Sequence, residues 1–181
     1  CIGTGNEAAS AGHTSGRIIS EGEETIQLAI QSRQSSISIQ IWKEYTDQIE
    51  ISIINPSGVR VGPVPEILGP HRFRIGQTEI LLYYGEPSPY SISQEIYIDL
   101  LPVESYLTEG IWRIVLSAGK IMTGQYEMWL PSDNVLNRGT GFLFPTDATT
   151  LTIPSSASRA ISVHLHMRIF REEDLPDLQI W

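Results

Sequence analysis

The sequence predicts an all-β fold, a two-sheet antiparallel β-sandwich of jelly-roll type. Three observations predict it. Apolar and polar residues alternate with period two in segment after segment. Clusters of Gly, Pro, Asn and Ser separate these segments roughly every 8–15 residues. Helix signals are nearly absent, Val103 to Leu107 offering a short turn and no more.

The segments follow in order. Ile26, Leu28 and Ile30 alternate with Thr25, Gln27 and Ala29, and Ile37, Ile39 and Ile41 with Ser36, Ser38 and Gln40. Ile49, Ile51 and Ile53 enclose Glu50 and Ser52. The same spacing recurs at Ile96, Ile98 and Leu100, at Trp112, Ile114 and Leu116, and at Tyr126, Met128 and Leu130. Each strand thus turns one face to a core and the other to water, as antiparallel sheets do. Turns are expected at Asn55-Pro56-Ser57-Gly58, at Gly85-Glu86-Pro87-Ser88-Pro89, at Ser117-Ala118-Gly119-Lys120 and at Pro131-Ser132-Asp133-Asn134. A loop-rich stretch from Asp133 to Asp147 contains a short extended piece at Phe142-Leu143-Phe144. Inward apolar positions suffice for residues 17–153 to fold alone.

Composition bounds the function. The length of 181 residues suits one domain. A net charge of −9 with twelve scattered Lys and Arg residues argues against nucleic acid as a partner. His71, Arg72 and Arg74 read as one solvated strand face. The single cysteine, Cys1, excludes an internal disulfide, and no Cys/His spacing suggests a metal. His164 and His166 share a strand face without a third ligand nearby, so neither metal nor cofactor is expected. No apolar run approaches the ~20 residues that span a bilayer, and no signal segment is present. The chain reads as a soluble protein without a membrane partner. Its start on Cys-Ile-Gly, without methionine, suggests a piece of something longer.

The two ends carry a resemblance. The first sixteen residues, Cys1 to Gly16 and most specifically Gly5-Asn6-Glu7, resemble the strand and loop of subtilisin-like serine proteases that hold the oxyanion-hole asparagine. Thr152-Ile153-Pro154-Ser155-Ser156-Ala157 and Ala160-Ile161-Ser162-Val163 resemble the strand that follows it. In ordinary subtilases these pieces are close in sequence; here a long β-rich stretch separates them. That arrangement is similar to the clostridial subtilases, including the spore-germination proteases, whose catalytic domain carries an inserted β-sandwich. Gly110-Ile111-Trp112-Arg113-Ile114, Met128-Trp129-Leu130-Pro131, Phe144-Pro145 and Leu151-Thr152-Ile153-Pro154-Ser155 resemble signatures of that insert.

The resemblance implies residues 1–16 from the protease core, a jelly-roll insert over 17–153, and a protease strand fragment with a divergent tail over 154–181. It implies that Asn6 supplies an oxyanion-hole amide, a donor whose removal costs ~10²–10³ in kcat in such enzymes. Gly5 would permit close backbone approach, Glu7 matches the family position, and His13, in the Asn6 loop, is not the catalytic histidine. The nucleophile motif Gly-Thr-Ser-x-Ala is absent, and Ser155 and Ser156 have no activating base in the sequence pattern. The chain alone is therefore not expected to be an enzyme, and its implied partner is the remainder of the protease or its propeptide. From His164 to Trp181 the sequence leaves the family pattern, which suggests a frameshift. Terminal strands without their protease neighbours would favour a homodimer.

Two readings of function stand side by side. One is a structural or regulatory module that braces a protease and limits access to it. The other is a carbohydrate-binding module, with Trp42, Tyr83 and Tyr84 as exposed aromatics. Tyr90 is a further candidate, and Trp112 and Trp129 are expected in or near the core. A third, an independent adhesin or assembly protein, has no motif behind it.

Overall fold

Where the sequence alternates, the chain extends. The computed structural model describes residues 2–3, 11–86, 89, 91–131, 135–146 and 162–163. The strands are β1 (Ile2–Gly3), β2 (His13–Arg17), β3 (Glu23–Ile30), β4 (Ile37–Glu44), β5 (Ile49–Ile54), β6 (Arg60–Val64) and β7 (Gly69–Ile75). They continue as β8 (Thr78–Tyr84), β9 (Ser93–Pro102), β10 (Gly110–Ala118), β11 (Gln125–Trp129), β12 (Gly141–Phe142) and β13 (Ser162–Val163). No helix occurs among the described residues, so none is long and apolar enough to cross a membrane.

The chain divides into two compact units. The larger, Glu7–Ala148, is a sandwich of two antiparallel sheets. One sheet has five strands in the order β12-β3-β10-β5-β6, the other six in the order β2-β11-β4-β9-β8-β7. Their inner faces supply the core. Leu28, Ile39, Ile51, Ile80, Ile96, Ile98, Leu116 and Met128 are fully buried, and Trp112 lies among them with its indole N–H donating to Thr108 O at 2.9 Å. The period of two thus did what it predicts: each alternating segment delivered its apolar set to one side.

The five-stranded sheet departs from regular pairing between β5 and β6, where the register shifts between Ile51 and Ile53. Gly62 sits opposite with φ +107°, and a Cβ there would lie 2.6 Å from Ile51 O. Only glycine fits that approach. Arg60 then reaches across the outer face to Ser52 Oγ (2.9 Å) and lies 3.6 Å from Glu23, while Ser52 and Val115 are buried on that face.

Four connections cross between the sheets at one end of the sandwich: 18–22, 45–48, 65–68 and 119–124. The chain enters and leaves the sandwich side by side. His13 and Thr146 are joined twice, by Thr146 N–H to His13 O (3.0 Å) and by His13 Nδ1–H to Thr146 O (3.0 Å). Phe142 N–H donates to Ala11 O at 2.7 Å and Thr14 Oγ1 to Phe144 O at 2.8 Å. The stretch from 141 to 146 therefore leaves β3 of one sheet and runs along β2 of the other.

The smaller unit comprises Cys1–Asn6 and Thr149–Trp181. Its described part is a parallel pair, with Ile2 opposite Ser162 and Gly3 opposite Val163.

Candidate functional site

The outer face of the six-stranded sheet carries two exposed aromatics, Trp42 and Tyr83, and two half-buried ones, Trp129 and Tyr97. Register places His13, Trp129, Gln40, Tyr97, Tyr83 and Pro70 in one row across all six strands. The next row holds Glu127, Trp42 and Glu95. All of these are the outward members of their strands, since Ile39, Ile41, Ile96, Ile98 and Met128 between them point inward. Trp129 is held in place by His13, which stacks on it with ring centroids 3.9 Å apart. Ser38 donates to Asp99 Oδ1 at 2.7 Å in the row on the other side.

Two hollows flank this cluster. One of about 340 Å³ is lined by Ser38, Gln40, Tyr97, Trp129, Pro131 and Val135. Another of about 250 Å³ runs beside Trp42, between Ile92 and Glu127. The arrangement offers flat apolar rings with carboxylates, an amide and a hydroxyl between them. It can stack on a ligand and hydrogen-bond its edges.

Trp42 and Tyr83 are exposed, at 36% and 42%. Tyr84 is not: it is fully buried, and its hydroxyl donates inward, to Val64 O (3.0 Å) and Ile49 O (3.3 Å). Neighbours on a strand face opposite ways, so Tyr83 and Tyr84 could not both be outside. Burial pushes the Tyr84 hydroxyl up from its ordinary pKa. Trp112 is in the core, whereas Trp129, expected in or near the core, is half-buried on the outer face. Tyr97 carried the same outward signal as Trp129, a ring in the polar phase of an apolar alternation. Asn6 and Tyr90, and His164 and His166, lie outside the described residues.

The densest ionic cluster was not anticipated. Lys43 follows Ile37, Ile39 and Ile41 in the inward phase of β4 and is buried there. Its Nζ donates to Asp47 O (2.5 Å), to Glu66 Oε1 (3.1 Å) and to Glu44 O (3.3 Å). Glu66 Oε2 accepts from Ile49 N–H at 3.1 Å. The Asp47 carboxylate accepts from the backbone N–H groups of Met122 (2.5 Å), Thr123 (3.1 Å) and Gly124 (2.7 Å), and from Thr123 Oγ1 (2.8 Å). Gly124 in turn accepts from Ile18 N–H at 2.9 Å. All four crossovers of this end are thereby tied together.

Burial alone would raise the Asp47 carboxyl, but its hydrogen bonds from Met122, Thr123 and Gly124 more than offset this and hold it below the usual range. Burial pulls the Lys43 ammonium down, with Glu66 and Asp47 opposing. Lys43 and Asp47 are enclosed by their partners, while Glu66 keeps part of its side chain in water, an arrangement that ties the loops together.

Fold and site define the class: a two-layer antiparallel β-sandwich. No family model matches the chain, and no curated protein sequence matches it. Among solved structures it is similar to the Clostridium perfringens CspB protease, with 30% sequence identity and a TM-score of 0.81 over 88% of this chain. The chain spans 33% of that protease.

Proposed function

We propose that this chain is the non-catalytic, jelly-roll type insert of a subtilisin-like serine endopeptidase, flanked by two strands of the protease core. In this reading the sandwich braces the enzyme and limits access to its active site. One observation carries the reading: the sandwich begins and ends at the same point. His13 and Thr146 are doubly hydrogen-bonded, and the flanking β1 and β13 lie parallel and adjacent. A body whose ends meet can interrupt a chain between two neighbouring strands without separating them. The likeness to a third of the CspB protease supports the same reading.

On this reading Asn6 is the oxyanion donor, useful only with a nucleophile and base from elsewhere in the protease, and the chain alone hydrolyses no peptide. Its partner is the rest of the enzyme or the propeptide, and in isolation the terminal strands pair two copies. The test is to replace residues 13–146 by a short Gly-Ser linker in the longer protease. The expected result is a lowered thermal midpoint and a relative gain on large protein substrates over small peptides. An unchanged midpoint with unchanged selectivity overturns the proposal. Light scattering of the chain alone reports the dimer directly.

A further inference from the structure

We propose that the outer face of the six-stranded sheet binds an uncharged oligosaccharide, independently of the protease reading. The platform is Trp129, Tyr97 and Tyr83 in one cross-strand row, with Trp42 diagonal to Trp129 and to Tyr97 in the next. Strands are ~4.8 Å apart, so Trp129 and Tyr97, two strands apart, sit ~10 Å from each other. That separation suits two rings of one extended sugar chain.

The chemistry between the rings matches the same ligand. Gln40 stands between Trp129 and Tyr97, the Ser38–Asp99 pair lies on one side, and Glu95 and Glu127 flank Trp42 directly across the strands. Sugar hydroxyls donate to carboxylates and exchange hydrogen bonds with an amide, while their C–H faces stack on rings. The charge disfavours anionic ligands, since Arg72, in the Ser38–Asp99 row of this face, is paired with Glu79. Among the described residues no Lys or Arg lines the hollow beside Trp129, and Lys43, beside Trp42, turns its ammonium inward to Asp47 and Glu66. An acidic chain of net charge −9 repels phosphates and uronates further. The platform is also pre-formed, because His13 stacks on Trp129 and fixes its ring before any ligand arrives.

The experiment titrates the full chain with cellotetraose and with chitotetraose in 0.15 M NaCl, following tryptophan fluorescence and heat. Saturable binding of at least one is expected, weakened about tenfold by Trp129→Ala or Tyr97→Ala. Because Trp129 packs on His13, the exposed pair Trp42→Ala and Tyr83→Ala provides the same reading without disturbing that contact, with losses of several-fold. Ile111→Ala, exposed on the other sheet, leaves binding unchanged. No saturation by either sugar at about 10 mM overturns the proposal. So does binding that all four aromatic variants leave intact, and so does salt-sensitive binding of tetralysine in place of the sugars, which would make the face a docking site for a cationic peptide.

Discussion

At one end of the sandwich the crossovers are tied by ions; at the other, the connections 31–36, 103–109 and 130–140 are tied by a neutral amide. Gln34 is fully buried there. Its Nε2 donates to Ser36 O (3.1 Å) and Val135 O (3.3 Å), its Oε1 accepts from Asn137 N–H (2.8 Å), and its backbone O accepts from Leu107 N–H (2.8 Å). Both ends satisfy loop backbone groups that water cannot reach. The task therefore needs donors and acceptors at the right points and does not need charge. What charge adds is a dependence on pH and a larger cost of error, because a lone ion left inside is worse than a lone amide.

The ionic end is most vulnerable at Asp47. Asp47→Ala strands three backbone N–H groups and removes a counter-charge of Lys43, so a loss of about 3–5 kcal/mol is expected. Thermal denaturation should register this as a drop of roughly 10 °C. A loss below about 1 kcal/mol would mean that the ionic end is not what joins the crossovers.

Acid separates the two ends as well. The folded Asp47 carboxyl titrates below its unfolded value of about 3.9. Its contribution is therefore complete above about pH 4 and disappears as pH falls through the folded pKa. Denaturant midpoints measured from pH 7 down to pH 3 should fall more steeply in the wild type than in Asp47→Asn. Gln34→Ala should cost about 1–3 kcal/mol with the same acid slope as the wild type. Lys43→Met should cost less, about 1–2 kcal/mol, since the Asp47 donors remain and Glu66 keeps 17% of its side chain in water. Trp42→Ala closes the series below about 0.5 kcal/mol, because an outward ring contributes little to holding the sheets together. Equal losses for Gln34→Ala and Asp47→Ala would erase the distinction between the ends.

Much of this architecture was legible in the residues themselves. Ile37, Ile39, Ile41 and Ile96, Ile98, Leu100 announce buried faces by spacing alone, and both sets are in the core. The turn at Asn55-Pro56-Ser57-Gly58 is present, with Gly58 N–H donating to Asn55 O at 2.9 Å. The strand at Arg60–Val64 was harder to foresee, since it has no alternating apolar set and its own Gly62 and Pro63 together stand opposite the single Ser52 of its neighbour. Ser117 and Ala118 read as turn residues, yet β10 continues through Ala118, because Glu23 and Ile49 on the flanking strands pair with them. Tyr84 misled because adjacent aromatics invite reading as a pair, where strand geometry separates them. The ionic tie left one signal, a lysine in the apolar phase of β4. Its partners Asp47 and Glu66 come from loops whose meeting depends on how the sheets stack, and no local pattern encodes that.

The parallel contact of Ile2–Gly3 with Ser162–Val163 has a consequence for the order of events during folding. It joins positions roughly 160 residues apart, and closing so long a floppy loop before anything else forms is entropically unfavourable. Once β2 and the 141–146 stretch have locked together, only the connectors 4–12 and 147–161 remain to be spanned. The sandwich should therefore nucleate and the terminal pair should zip last. In pulsed hydrogen exchange, amides of β4 and β9 would gain protection before those of Gly3 and Val163, and the reverse order would show that the ends seed the fold.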